Sequence, residues 1–146
     1  MSLRVRVARL DPSASLPAQA HEHDAGYDLA AQVEAVLQPG GGRALIPTGI
    51  AIAIPPGHAG LVLPRSGLAL HHGVTCLNTP GLIDSQYRGE VKVLLVNTDP
   101  NEPYLVNQGD RIAQLVVMAV ADVEWVEVAA LGDTTRDTFG FGSTGR

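Results

Sequence analysis

One cysteine, one tryptophan and two phenylalanines in 146 residues rule out several kinds of protein at once. Cys76 has no partner for an intrachain disulfide, which fits a reducing cytoplasm better than an oxidising compartment. Although 45% of the residues are apolar, no run approaches the ~18 consecutive apolar residues of a membrane span. Met1 to Val7 lacks the apolar core of a secretion signal and reads as the opening of a strand. Positive charge is scarce: a formal net charge of -5 disfavours general nucleic-acid binding, which relies on neutralising phosphates. An acidic chain can still hold a phosphorylated small molecule if its few arginines are gathered in one place. The length is that of one ordinary domain, enough to bury a real core.

What is abundant is punctuation. Sixteen glycines and ten prolines fall between short apolar runs. Leu3, Val5 and Val7 alternate with arginines, as in a half-buried strand. Leu29, Ala31, Val33, Ala35 and Leu37 alternate up to Pro39, and Ile50, Ile52 and Ile54 do so up to Pro55. Val91–Val96 and Ile112–Val120 are apolar on both faces, as in strands buried between sheets, and Val123–Val128 offers one more strand. Many short strands with regular turns and almost no helical period predict an all-β sandwich, jelly roll or barrel. The one helical signal lies near residues 66–72, with Ser66 suited to the N-cap and Gly73 to the C′ position. Residues 1–131 read as a single β domain. Residues 132–146 are small, polar and glycine-rich, either a frayed terminus or a working tail. Both phenylalanines of the protein, Phe139 and Phe141, lie in it.

Several segments could carry chemistry. Gly81-Leu-Ile-Asp-Ser-Gln-Tyr-Arg-Gly89 places an acid, Asp84, three residues before an aromatic ring, Tyr87, in a turn between apolar strands. That suits a water-activating base beside a surface for a flat or sugar-like ligand, although acidic turns are common. Arg65 beside a short helix start suits a phosphate, or else belongs to an ordinary capped surface helix. Gly140-Phe-Gly-Ser-Thr-Gly145 offers backbone N–H groups and two hydroxyls without the lysine, strand and helix of a P-loop. Gln114 is an amide inside an apolar run, open to an edge-facing or a functional reading. Arg65, Arg88, Arg111 and Arg136 all fall within these segments, as the charge balance requires. His21, His23 and Asp24 lack the further ligands of a metal site. His71 and His72 suit a helix end, while Cys76 and Trp125 read as core.

Taken in order, Ala25–Ala31, Pro64–Ala69, Asn78–Gly89, Gly109–Gln114 and Arg136–Gly145 resemble the five motifs of the trimeric dUTPase family, spread over residues 25 to 145. The resemblance implies a distorted jelly roll of the dUTPase-like β-clip kind, assembled as a homotrimer with active sites shared between subunits. It implies hydrolysis of dUTP to dUMP and pyrophosphate with Mg2+ on the triphosphate, which keeps uracil out of DNA and supplies dUMP for thymidylate synthesis. On that reading Asp84 is the general base and Tyr87 packs on the deoxyribose. Asn78, Gly81, Leu82 and Ile83 read the uracil. Arg65, Ser66 and Gly67 hold phosphates, supported by Gln114 and Lys92, while Asp28 meets the metal through water. Arg136, Phe141, Gly142, Ser143 and Thr144 close over a neighbouring site, Phe141 on the base and Arg136 at the γ-phosphate. The family usually has glycines where Asp137 and Phe139 stand, so the path of the tail is the open point. Two other classes remain for comparison: a dCTP deaminase of related fold, and a non-catalytic jelly-roll module.

Overall fold

The computed structural model describes residues 2–145; Met1 and Arg146, the ends of the first strand reading and of the tail, lie outside the described residues. Ten strands and one helix follow in order: β1 (Arg6–Arg9), β2 (Tyr27–Ala30), β3 (Ala35–Leu37), β4 (Arg43–Ala53), β5 (His58–Leu63), α1 (Ser66–His72), β6 (Val74–Cys76), β7 (Gly81–Ile83), β8 (Glu90–Asn97), β9 (Tyr104–Val106) and β10 (Arg111–Ala119). Two four-stranded sheets, β1-β4-β8-β6 and β2-β10-β5-β7, and a small β3-β9 pair make up the distorted jelly roll. The pairing between strands is antiparallel throughout.

The core lies between the two larger sheets because alternate residues of each point inward. Ile46, Ile50, Ile52, Val91, Val93 and Leu95 come from one sheet, and Leu29, Val62, Ile83 and Leu115 from the other. Each such side chain contributes about 1.5–3 kcal/mol by leaving water, so the sheets are held mainly by this layer. Cys76 joins it, and burial pushes its thiol up to about 11. A thiol that stays protonated at neutral pH is a small apolar filler, not a nucleophile.

Four expectations need correction. The Leu29–Leu37 run is not one strand: Ala31 N–H bonds to Asp110 O and Gln32 N–H to Pro47 O, which draws the chain off the line of β2 before β3 begins. The first strand is not half-buried; all four residues of β1 are exposed, since it is an edge strand paired only with β4. Burial along β10 fades from Ala113 (0% exposed) to Met118 (49%), so only its first half lies between layers. Val123–Val128 forms no strand and Trp125 is not core, being 91% exposed. The alternation of Val123 and Trp125 with Glu124 is real, but among the described residues no strand pairs with it.

Candidate active site

Sheet register builds the first part of the site. On β10, Gln114 lies opposite Asp28 of β2 on one side and Leu63 of β5 on the other. Three distant segments therefore meet in one row. Immediately after Leu63 the chain turns at Pro64, and the Gln114 amide donates to Pro64 O at 3.0 Å, pinning that turn. Gly26 lets the Gln114 amide lie close, because a Cβ there would overlap it and one of the two would have to shift. The turn delivers Arg65, which donates from Nη1 to Arg111 O at 3.0 Å and approaches Asp28 Oδ1 through Nε at 3.6 Å. Arg111 Nη1 lies 3.3 Å from the other oxygen of Asp28. Asp24, Gly26, Asp28, Arg65, Ser66 and Gln114 line a polar cleft of about 340 Å³.

Gly67 completes the cleft at the start of α1. Ser66 is not the N-cap expected of it. Arg65 takes that position in extended conformation, Ser66 is the first helical residue, and no side chain caps the helix. The first-turn N–H groups lack partners within the helix, as at any helix start. Gly73 ends the helix in the left-handed conformation (φ 64°), as its position predicts.

The second part is the turn between β7 and β8. Gly81–Ile83 pairs with β5, and the Asn78 amide faces Gly81, with Nδ2 3.3 Å from where a Cβ would stand. Asp84 follows, exposed, and its carbonyl accepts the Tyr87 N–H at 3.1 Å to close the turn. Arg88 staples the turn from outside, donating to Ser85 O (2.7 Å) and Tyr87 O (2.8 Å). The Tyr87 hydroxyl donates to Glu90 O at 2.9 Å, which lays the ring over Gly89, where any Cβ would strike it. Arg88 is thus structural within this loop, although its charge placed it among the candidate phosphate ligands.

Within one chain these two parts do not meet. Gly81 lies opposite Val62 and Ile83 opposite Gly60, so Asp84 leaves one end of the β5–β7 ladder while Arg65 leaves the other. At ~3.4 Å per residue they are separated by roughly 17 Å or more. Lys92 is exposed on β8, opposite Pro47 of β4 in the same sheet, and joins neither group. The tail stands apart from both. Its hydrogen bonds are local: Phe139 N–H to Arg136 O, Ser143 N–H to Gly140 O, Gly145 N–H to Gly142 O, and Arg136 Nε to Phe139 O. Phe141 is fully exposed, and Thr144 is exposed beside it. Asp137 has φ 47°, the left-handed conformation that a glycine supplies and that aspartate tolerates better than most residues. The substitution at 137 therefore keeps a glycine-like backbone.

Sequence reasoning missed Asp24 and Gly26 as cleft residues and gave Arg111 no role of its own. A glycine directly before a strand was the available signal for Gly26. Nothing in the sequence announces that Gln114 will lie above it.

The fold is thus a jelly roll carrying a pinned arginine turn, a carboxylate hairpin and a glycine-rich aromatic tail. The dUTPase family model matches residues 12–145, and the chain belongs to that family. It is 53% identical over 144 residues to the deoxyuridine 5'-triphosphate nucleotidohydrolase of Thermobifida fusca, covering 99% of this chain and 80% of that protein. The protein of the same description from Corynebacterium glutamicum is 51% identical over 142 residues, covering 97% of this chain and 95% of the relative. Among solved structures, the dUTPase of Staphylococcus bacteriophage 80alpha with dUpNHpp superposes with a TM-score of 0.88 at 28% identity, covering 99% of this chain and 100% of that one. A mutant dUTPase of phage phi11 of S. aureus, described with a structural Mg(II) ion, gives 0.79 at 27% identity over 88% of this chain and 99% of that one.

Proposed function

We propose that this chain hydrolyses dUTP to dUMP and pyrophosphate in sites shared between subunits of a homotrimer. The observation that carries the shared-site reading is the separation of Asp84 from the Arg65 cleft along a single ladder. A base that far from the phosphate grip serves only if the two come from different chains. The exposed segment from Val123 to Leu131, with Trp125 and Leu131 more than nine-tenths exposed, supports the same reading, since such residues gain by being covered. The uncovered tail supplies the third contribution.

In the proposed reaction, Asp84 accepts a proton from a water as the water oxygen bonds to the α-phosphorus. The bond from that phosphorus to the α–β bridging oxygen breaks, and its electron pair leaves with pyrophosphate. Arg65, Ser66 and Gly67 hold the phosphate chain, and Gln114 holds their turn. Lys92 would have to reach the nucleotide across a subunit boundary. Asn78 and the backbone of Gly81, Leu82 and Ile83 read the uracil edge, and the Tyr87 ring fills the space a 2′-hydroxyl would need. The tail closes over the nucleotide with Phe141 on the base, Arg136 at the γ-phosphate, and Gly142, Ser143 and Thr144 along the chain, excluding water.

The donor set fits a Mg2+ ion held mainly by the substrate. Asp24 and Asp28 are the carboxylates among the described residues lining the cleft, and Asp28 is already engaged by two arginines, so contact through water suits it. Bound there, the ion would offset negative charge on the triphosphate. Among the described residues no helix is long and apolar enough to cross a membrane. A reducing compartment such as the cytoplasm suits the single buried thiol.

A pyrophosphate-release assay with dUTP, dCTP, dTTP and UTP, with and without Mg2+, tests the reading. Turnover of dUTP far above the other three is expected. Ammonia released from dCTP would replace this reading with a deaminase.

A further inference from the structure

We propose that Arg111 is a positioning residue of this site, acting on the nucleotide through Asp28 and Arg65 rather than by touching it. The inference rests on the phosphate-binding role of Arg65 proposed above. Asp28 divides its two carboxylate oxygens between two guanidiniums: Oδ1 faces Arg65 Nε at 3.6 Å, and Oδ2 faces Arg111 Nη1 at 3.3 Å. Arg65 is held a second time, because its Nη1 donates to the backbone carbonyl of Arg111 at 3.0 Å. With Nη1 donating to that carbonyl and Nε turned toward Asp28, Nη2, which makes no hydrogen bond among the described residues, is a nitrogen left for a phosphate oxygen. The irregular register of β10 between Arg111 and Ala113 sets this up, placing Arg111 opposite Ala30 while Gln114 still faces Asp28.

The role of Arg111 follows from what Asp28 would do without it. A carboxylate and a guanidinium prefer a two-point, fork-on-fork pairing. Asp28 is kept from that pairing with Arg65 because Arg111 holds one of its oxygens. Removing the Arg111 side chain frees Oδ2 to turn onto Arg65, and the carboxylate then competes with phosphate for the same cation. Arg111 thus keeps Arg65 available by occupying its competitor. The exposures agree with the geometry: Arg111 is 54% exposed, whereas Asp28 is 19% and Arg65 31%.

The test is a double-mutant cycle on the full chain with Arg111→Ala, Asp28→Asn and both together. It reads KM and kcat for dUTP, the metal-free affinity for non-hydrolysable dUpNHpp by calorimetry, and the melting temperature. Arg111→Ala should weaken dUpNHpp binding and raise KM by about tenfold, the size of one charged contact. Both kcat and the melting temperature should stay near wild type. Arg111→Lys should recover most of the loss, since an ammonium can still hold Asp28. The double variant should bind no worse than Arg111→Ala alone, because an amide does not compete for Arg65. Multiplying losses in the double variant would mean that Arg111 touches phosphate directly, and would overturn the proposal. So would unchanged binding in Arg111→Ala while wild type turns dUTP over. Wild-type protein with no dUTP turnover would sink the functional reading, and this one with it.

Discussion

Replacing Gly26 with alanine should damage substrate binding more than stability, and the structure says by what route. A methyl group on Gly26 would fall on the Gln114 amide, with the Gln114 Cδ and Cβ atoms also close at 3.2 and 3.3 Å. Forcing an extra methyl into a packed place costs about 1–3 kcal/mol if nothing moves. Something can move here, because Gln114 lines a cleft and is only half-buried. Rotating the amide away relieves the overlap but breaks its 3.0 Å bond to Pro64 O, worth about 1 kcal/mol net. The pin on the Pro64–Arg65 turn is then gone. We expect the melting temperature to fall by only a few degrees and KM for dUTP to rise by about tenfold or more, since ~1.4 kcal/mol is a factor of ten. Steady-state pyrophosphate release and thermal unfolding on the same preparation measure both. A large stability loss with unchanged KM would show that the main chain yields instead of Gln114, and would refute the pin. Gly67→Ala is the matched control. Nothing lies within 4 Å of its added methyl, and alanine favours a helix over glycine by up to ~1 kcal/mol. That variant should be as stable as wild type or slightly more so, yet bind dUTP less well; normal binding would remove Gly67 from the phosphate contacts.

Two further perturbations and their combination address the rest of the site, and one more addresses stability. Asp84→Asn should lower kcat by orders of magnitude while dUpNHpp still binds, and near-normal turnover would dismiss Asp84 as the base. Truncation after Thr135 should remove most activity without unfolding the protein, because the tail's hydrogen bonds are local. Mixed trimers of that truncation with Asp84→Asn should recover some activity, and no recovery in verified mixtures would count against sites shared between chains. Asp99 accepts the N–H groups of Glu102 and Asn101, which hold its carboxyl below the usual carboxylate range. A depressed folded-state value adds stability above the unfolded pKa, and that stability is lost as pH falls through the folded one, below about pH 4. Asp99→Asn should therefore make the acid limb of a pH-melting curve shallower, and an unaltered limb would show that Asp99 has no part in it.

The segments proposed to carry chemistry were legible because each is a local pattern: the Pro64–Gly73 helix signal, the Pro80-Gly81 bend before an acid, the glycine-rich tail. Their grouping was not. That Asp28, Gln114 and Leu63 share a row is a property of strand register, which depends on which strands become neighbours. Register also separates Asp84 from Arg65, although their segments stand close together in the chain. Trp125 failed for a related reason. Its alternating context signals a buried strand, but the segment forms no strand and leaves the ring exposed, because among the described residues no strand of this chain pairs with it. Ser66 was misplaced by one residue because cap preference is weak against the turn imposed by Pro64 and Gln114.

The contact of Tyr87 with Gly89 bears on how the choice of sugar could be altered. The tyrosine ring rests on a residue with no side chain, so its tilt is set from behind, by a position outside the proposed nucleotide contacts. Any side chain at 89 would act as a wedge, lifting the ring and breaking its bond to Glu90 O. On the proposed role of Tyr87, the ring would then be pushed out of the place where it excludes a ribose hydroxyl, with every substrate-contacting residue left intact. Discrimination between deoxyribose and ribose would then belong to the pair, a ring in front and an absence behind it.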